Sequence, residues 1–216
     1  MAREKRVSTI CTTFEEEARS RGHRLVAGVD EVGRGALAGP VVASAVILDP
    51  EAPLPAGLDD SKKLTPLQRE RIAGELRQSV VCHAVGVIYP DEIDATNILL
   101  ATRRAMAEAL KGLRPCAEYL LIDAVQLRES ALPQRAIIHG DSISASIAAA
   151  SVLAKTFRDR LMREYDSLHP GYNFSRHVGY GTREHYEAIR LRGPCPIHRR
   201  TFRGVLTEMD SAPVGQ

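Results

Sequence analysis

Short apolar runs punctuate the chain, and most of them stop at a glycine, a proline or an acid. Residues 25–30 (LVAGVD) and Val41–Leu48 (VVASAVIL) are runs of strand length. Between them, residues 33–40 are too glycine-rich for either regular element, so a turn or short loop is expected to join two strands. Thr65 followed by Pro66 resembles an N-cap with proline at the first helical position, and it opens an expected helix to about Ser79. Residues 80–88 (VVCHAVGVI) form a third strand candidate that Pro90 ends, and a single long helix is expected over 91–111, stopped by Gly112 and Pro115. Residues 119–123 (YLLID) and 135–139 (RAIIH) read as two more strands.

From Asp141 a helix is expected to about Tyr165, because Ile143, Ile147, Ala150, Ala154, Phe157 and Leu161 recur at spacings of three and four on one face. Its many Ala and Ser residues would let it approach a sheet closely. Three strands followed by alternation of strand and helix predict an α/β domain. Its mixed sheet is an antiparallel meander extended by parallel strands through helical crossovers. Residues 1–22 read as a short helical or loose arm, 23–204 as the domain, and 205–216 as a tail with little to pack.

Composition narrows the class. With 216 residues, 44% hydrophobic and 26% charged, the chain is long enough to bury a core without staples. Cys11, Cys82, Cys116 and Cys195 lie far apart, so reduced thiols are expected, with neither a disulfide framework nor a zinc site. The N-terminus lacks the apolar run of an export signal, and 143–154 is too short and Ser-rich to span a bilayer, so a soluble, cytoplasmic protein is expected. Net charge is only +2, but from Lys155 to Arg203 eleven Lys/Arg stand against five Asp/Glu. That stretch suits either a polyanion-binding surface or a plain solvated basic face.

Candidate chemistry lies in the acids. Two expected strands run into Asp30 and Asp123, and a charge after an apolar run is a local inconsistency of the kind found at functional sites. Buried carboxylates are costly unless paired or bound to a cation, and oxygen-only ligands select hard ions such as Mg²⁺ or Mn²⁺. On a regular strand Asp30 and Glu31 point to opposite faces, so both serve one metal only if the strand ends or bulges there. Asp141 fits a plain N-cap as well as a ligand, and Asp123 fits a strand end followed by a turn.

The motifs carry a resemblance. Asp30-Glu31-Val32-Gly33-Arg34-Gly35-Ala36-Leu37-Ala38-Gly39-Pro40-Val41 resembles the signature of prokaryotic type 2 ribonucleases H. Further blocks follow in the family's order: Leu58-Asp59-Asp60-Ser61-Lys62-Lys63-Leu64, the Gly140-Asp141-Ser142 segment running into its Ala/Ser helix, His169-Pro170-Gly171-Tyr172, His177-Val178-Gly179-Tyr180-Gly181-Thr182 and His198-Arg199-Arg200-Thr201-Phe202. Together they span about residues 25 to 203.

The resemblance implies a ribonuclease H-like mixed five-stranded sheet flanked by helices, with a C-terminal helical extension. It implies that Asp30, Glu31, Asp123 and Asp141 hold divalent ions, Mn²⁺ or Mg²⁺, for a two-metal-ion hydrolysis leaving 3′-hydroxyl and 5′-phosphate ends. Gly33-Arg34-Gly35 would read the 2′-hydroxyl of a ribonucleotide, and Tyr180 would pack on the sugar of the following deoxynucleotide. Lys62 and Lys63, with Arg34, are candidates for phosphate contacts. The implied substrates are RNA–DNA hybrids and duplex DNA carrying single ribonucleotides, cut by a monomer away from any membrane. Lys155, about 21 Å along the expected helix from Asp141, is expected to touch distant backbone or solvent.

Four positions depart from the family pattern: Ala36 where Pro is usual, Ala124 where Gly is usual, Val178 where Lys is common, and Gly204 where Pro is frequent. Ala36 is expected to loosen the 33–40 loop and Val178 to weaken backbone affinity. With fewer than thirty residues before Asp30, the type 2 enzymes are the better match than type 3, which carry an N-terminal substrate-binding domain. Junction resolvases lack the Gly33-Arg34-Gly35 block, and a catalytically dead hybrid-binding protein would lack one of the acids. A histidine hydrolase is disfavoured, because His139, His177 and His198 have no nucleophile partner and read as surface or structural.

Overall fold

A computed structural model describes residues 10–206. Residues 1–9 of the expected arm and 207–216 of the expected tail lie outside the described residues. The elements in order are α1 (Thr13–Ser20), β1 (Val26–Val32), β2 (Val41–Leu48), α2 (Pro66–Ser79), β3 (Val80–Ile88), α3 (Pro90–Ala95), α4 (Ile98–Gly112), β4 (Tyr119–Asp123), β5 (Gln134–Ile137), α5 (Ala145–Leu168), α6 (Phe174–His177) and α7 (Arg183–Arg192). The five strands form one mixed sheet in the order β3-β2-β1-β4-β5. β1, β2 and β3 make the antiparallel meander, and β4 and β5 add in parallel beside β1.

Alternation along β1 divides the core. Ala27 and Val29 join Ala101, Ala105 and Met106 of α4 on one face. On the other face, Val46 and Leu48 of β2 pack with Ile72 and Leu76 of α2 and Ala148 and Val152 of α5. α5 lies directly on β1, because a Cβ on Gly28 would fall 2.1 Å from the main chain of Ser146. The small residues of α5 thus do what their pattern predicts. Asp30 shares the α5 face of the sheet and Glu31 the opposite one.

Three element boundaries differ from expectation. The expected single helix over 91–111 is broken at Thr96 (φ −129°, ψ −103°), and Asn97 caps α4 by accepting the Leu100 N–H at 2.9 Å. The break has a use: Asp94, near the end of α3, accepts from the Arg200 and Thr201 amides at 2.7 and 3.1 Å and so ties down the C-terminal segment. The helix expected from Asp141 begins at Ala145, after a 3-10 turn at Gly140–Ser142. Its N-cap is Ser144, whose hydroxyl accepts from Ile147 N–H, so the capping role considered for Asp141 falls to Ser144. The last strand stops at Ile137, and His139 is left-handed (φ 57°).

α1 packs against this junction. Glu15 is fully buried, and its Oε1 accepts from Ser144 Oγ, Ser146 N–H and Ser146 Oγ at 2.6–2.8 Å. A carboxylate at the first turn of α5 also meets the positive end of the helix dipole. Among the described residues, no helix is long and apolar enough to cross a membrane.

Candidate active site

β1 delivers the first two acids without a bulge. Its register with β2 runs unbroken through Asp30↔Ser44, Glu31↔Ala43 and Val32↔Val42, while its pairing with β4 ends at Val29↔Ile122. Beyond that point one edge of β1 is free, and a cavity of about 180 Å³ wraps the strand end. Asp30, Glu31 and Asp123 all line it, so opposite-facing neighbours reach a common space because the neighbouring strand stops.

The electrostatics are those of crowded acids. Burial first, then the charge of Glu31 and that of Asp123, raise the Asp30 pKa well above the usual carboxylate range. The Ser151 hydroxyl and the Glu31 N–H, which donates to Asp30 Oδ1 at 2.8 Å, oppose that shift. Burial also raises Glu31, against the pull of Arg34, whose guanidinium lies 3.2 Å from Glu31 Oε1. Asp123 is raised by burial and by the charge of Asp141, although its Oδ1 accepts Gly140 N–H at 2.8 Å.

Asp141 enters through Lys62. Lys62 Nζ donates to Asp141 Oδ2 at 3.0 Å and also lines the cavity with Asp30. Burial disfavours the Lys62 ammonium, but its hydrogen bond to Asp141 and the charges of Asp141, Asp60 and Asp30 outweigh that and raise its pKa. Lys63 lies outside the cavity, 3.1 Å from Asp59 Oδ1 and 3.3 Å from Ser142 Oγ. Among the described residues no three acid, histidine or cysteine side chains close on a single point. Glu31 is turned to Arg34 and Asp141 to Lys62, so cations already sit on two of the four acids.

The 33–40 loop forms the opposite wall of the cavity. Gly33, Arg34, Gly35 and Tyr180 line it, and Ala36 bridges to Tyr180 in a short antiparallel pairing. Leu37 N–H donates to Gly179 O at 2.8 Å, fixing the loop against the segment that carries Tyr180. Gly33 has φ +91°, and a Cβ there would lie 2.3 Å from Arg158 Nε, so only glycine fits. Ala36 is fully buried in this pairing.

Sequence reasoning missed several groups that shape the site. Lys155 opens on a second cavity of about 450 Å³ that it shares with Glu31, Lys62, Arg69 and Tyr180. Among the acids it shares that space with Glu31, and Ser151, one turn before it, sits beside Asp30. Its Nζ holds Asp159 at 2.6 Å, and Arg69 reaches the same carboxylate at 3.4 Å. Arg158 and Arg199 are fully buried, and nothing in the charge pattern marked them as interior.

Two of the three histidines read as surface or structural are buried packing groups, His177 and His198, while His139 is exposed. The unremarked His185 joins them: its Nε2 lies 3.0 Å from His198 Nε2, and its Nδ1 lies 3.0 Å from Tyr180 O. Cys195 N–H donates to His198 Nδ1 at 2.9 Å. These contacts fit one pair of tautomers. His185 carries Nδ1–H, His198 carries Nε2–H, and both rings are neutral. Burial, above all, pulls the pKa of each down to about 4.

The family model described as Ribonuclease HII matches residues 27–205. A Ribonuclease HII of Syntrophomonas wolfei is 49% identical over 203 residues, covering 94% of this chain and 79% of that one. A Ribonuclease HII of Pelobacter propionicus is 53% identical over 192 residues, covering 89% and 87%. Among solved structures, the RNase HII of Archaeoglobus fulgidus, determined as a complex with PCNA, superposes with a TM-score of 0.71 at 26% identity, covering 86% of this chain and 98% of that one. The sheet order and these likenesses establish the ribonuclease H-like fold.

Proposed function

The chain belongs to the ribonuclease HII family, whose members are ribonuclease H endonucleases, and on that premise we propose that it cuts the RNA strand of RNA–DNA hybrids and single ribonucleotides embedded in duplex DNA. The observation that carries this reading is the shared cavity. Asp30, Glu31 and Asp123 face Gly33, Arg34, Gly35 and Tyr180 across one space, so a group read by the loop lies beside the acids.

Asp30, Glu31, Asp123 and Asp141 would hold divalent ions, Mn²⁺ or Mg²⁺. The donor set fits them: it is all oxygen, it is buried at Asp30, and neighbouring acids raise the pKa values of Asp30 and Asp123, a tension that a hard cation relieves. When bound, such ions supply an activated water and stabilise the leaving 3′-oxygen in an in-line displacement. The remaining work falls to the chain's own groups. The amides of Gly33-Arg34-Gly35 meet the 2′-hydroxyl, which alone distinguishes RNA from DNA at one position. Tyr180, exposed on the cavity rim, packs on the next sugar. Lys62, and Lys63 beside it, face backbone phosphate, with Arg34 on the opposite side of the acids.

The reading is tested with three duplexes: an RNA–DNA hybrid, a DNA duplex with one ribonucleotide, and the same duplex in DNA alone. Cleavage of the first two with Mn²⁺ or Mg²⁺, leaving 3′-hydroxyl and 5′-phosphate ends, is expected. An intact ribonucleotide-bearing duplex with either metal removes the single-ribonucleotide reading.

A further inference from the structure

Two arginines have lost their water without gaining an acid. Arg158 and Arg199 are fully buried, and neither forms an ion pair among the described residues. Burial pulls the pKa of Arg199 down to about 9 and lowers that of Arg158. Apolar residues of similar volume often serve stability at least as well as a buried charge, so packing alone does not account for two guanidinium groups.

Their hydrogen bonds share one target. Arg199 donates to Gly33 O at 2.7 Å, Arg34 O at 2.9 Å and Gly39 O at 2.9 Å. Arg158 donates to Pro40 O at 2.9 Å, Ala38 O at 3.1 Å and Val178 O at 2.8 Å. Five of the six acceptors are carbonyls of the 33–40 loop. The sixth belongs to Val178, a β-branched residue held at φ +44°, two positions before Tyr180. The Arg158 guanidinium also lies over the Tyr180 ring, 5.6 Å from its centroid.

Carbonyl direction fixes amide direction. In a trans peptide the carbonyl and the amide bonded to it lie in one plane and point in opposite directions. Arg199 turns the carbonyls of Gly33 and Arg34 inward, so the amides of Arg34 and Gly35 face out. Four other loop amides are satisfied within the protein: Ala36 by Gly33 O, Leu37 and Ala38 by Gly179 O, and Gly39 by Ile197 O. Among the described residues the Arg34 and Gly35 amides have no hydrogen-bond partner, and both residues are exposed on the cavity that holds the acids.

We propose that Arg199 and Arg158 are positioning residues for ribonucleotide recognition: they draw the loop carbonyls into the protein and thereby present the Arg34 and Gly35 amides, with Tyr180 in step, to the substrate. The proposal rests on the reading of Gly33-Arg34-Gly35 as the ribonucleotide-binding segment. Lysine cannot replace either group, since an ammonium does not offer the planar fork that spans three carbonyls.

The test compares wild type, Arg199→Met and Arg199→Lys in EDTA, where no cleavage occurs. Fluorescence anisotropy measures affinity for a DNA duplex with one ribonucleotide and for the same duplex in DNA alone. Arg199→Met is expected to cut the ribonucleotide preference by about tenfold, the worth of a main-chain hydrogen bond or two. Affinity for all-DNA duplex should change little, and Arg199→Lys should not restore the preference. Equal loss on both duplexes, or rescue by lysine, would overturn the proposal.

Amide hydrogen exchange gives a second arm independent of nucleic acid. Protection of the Ala36, Leu37 and Gly39 amides should fall in the variants while β1 and β2 keep theirs; unchanged protection overturns the positioning claim. If wild type has no ribonucleotide preference, the reading of the loop fails, and the exchange arm alone decides whether the arginines hold its shape. Should Arg199→Met not fold, Arg199→Lys and Arg158→Lys carry both arms.

Discussion

Lys62 Nζ stands 3.0 Å from Asp141 Oδ2, and the same ammonium lines the cavity that holds Asp30 and Asp123. In the protein alone, Lys62 is thus a counter-ion to acids proposed to bind metal, and under that proposal it would compete with metal for Asp141.

That competition has a measurable sign. Lys62→Met is expected to lower stability in EDTA by about 1 kcal/mol, a modest loss because the lysine side chain is itself 74% exposed. Saturating Mn²⁺ should then raise the thermal midpoint of Lys62→Met by more than that of wild type, because a ligand bound only by the folded state stabilises it by mass action. Equal Mn²⁺ shifts would show that Lys62 does not share a site with the ion.

Asp30 carries the opposite prediction for the metal-free protein. Its pKa is raised, so the folded state favours the proton. The stabilisation from the neutral form is present below the ordinary carboxylate value near 4 and is lost as pH rises through the raised value. Asn mimics the neutral form at every pH. Asp30→Asn should therefore be more stable than wild type at pH 7 in EDTA, while losing most of the Mn²⁺-induced rise. Chemical denaturation with and without Mn²⁺ reads both effects. A variant less stable than wild type in EDTA would contradict the account of crowded acids.

The His185–His198 pair sets a pH dependence of its own. Both fall to about 4 in the folded protein, against roughly 6.5 for a free imidazole. Between those values the unfolded chain binds more protons, so this contribution to stability is complete above about pH 6.5 and declines toward pH 4. His185→Gln should flatten the stability difference between pH 7 and pH 5 relative to wild type. The same slope in both proteins would mean that the ring titrates in the folded state as it does in the unfolded one.

Ala124 follows Asp123 at φ +53°, which makes plain why glycine is usual there in the family pattern. An L-residue in the left-handed region costs about 1–2 kcal/mol. Ala124→Gly should raise stability, by about 1 kcal/mol once the greater freedom of glycine in the unfolded chain is deducted. Urea unfolding measures it, and a destabilised variant would show that the strain lies elsewhere.

What the sequence disclosed follows from where its signals are local. The apolar runs ending at Asp30 and Asp123 placed two acids at strand ends, and the Ala/Ser helix placed its close contact with the sheet, because each pattern is written within a few residues. The cap at Asn97 and the shift of the α5 cap to Ser144 were within reach of the same rules, but longer apolar periods on either side masked them. Arg158 and Arg199 were out of reach. An arginine in a basic stretch reads as solvated, and only the folded loop supplies the carbonyls that hold it inside. The way Asp30 and Glu31 share one cavity was equally hidden, since it depends on β4 ending one strand away.

The most direct measurement puts wild type and Asp30→Asn side by side on a DNA duplex with one ribonucleotide, with Mn²⁺, with Mg²⁺ and with EDTA. Wild type is expected to cleave at the ribonucleotide with a divalent ion and not in EDTA, and Asp30→Asn to lose about a hundredfold or more. Equal rates for the two proteins, or wild-type cleavage that persists in EDTA, would contradict the proposed site.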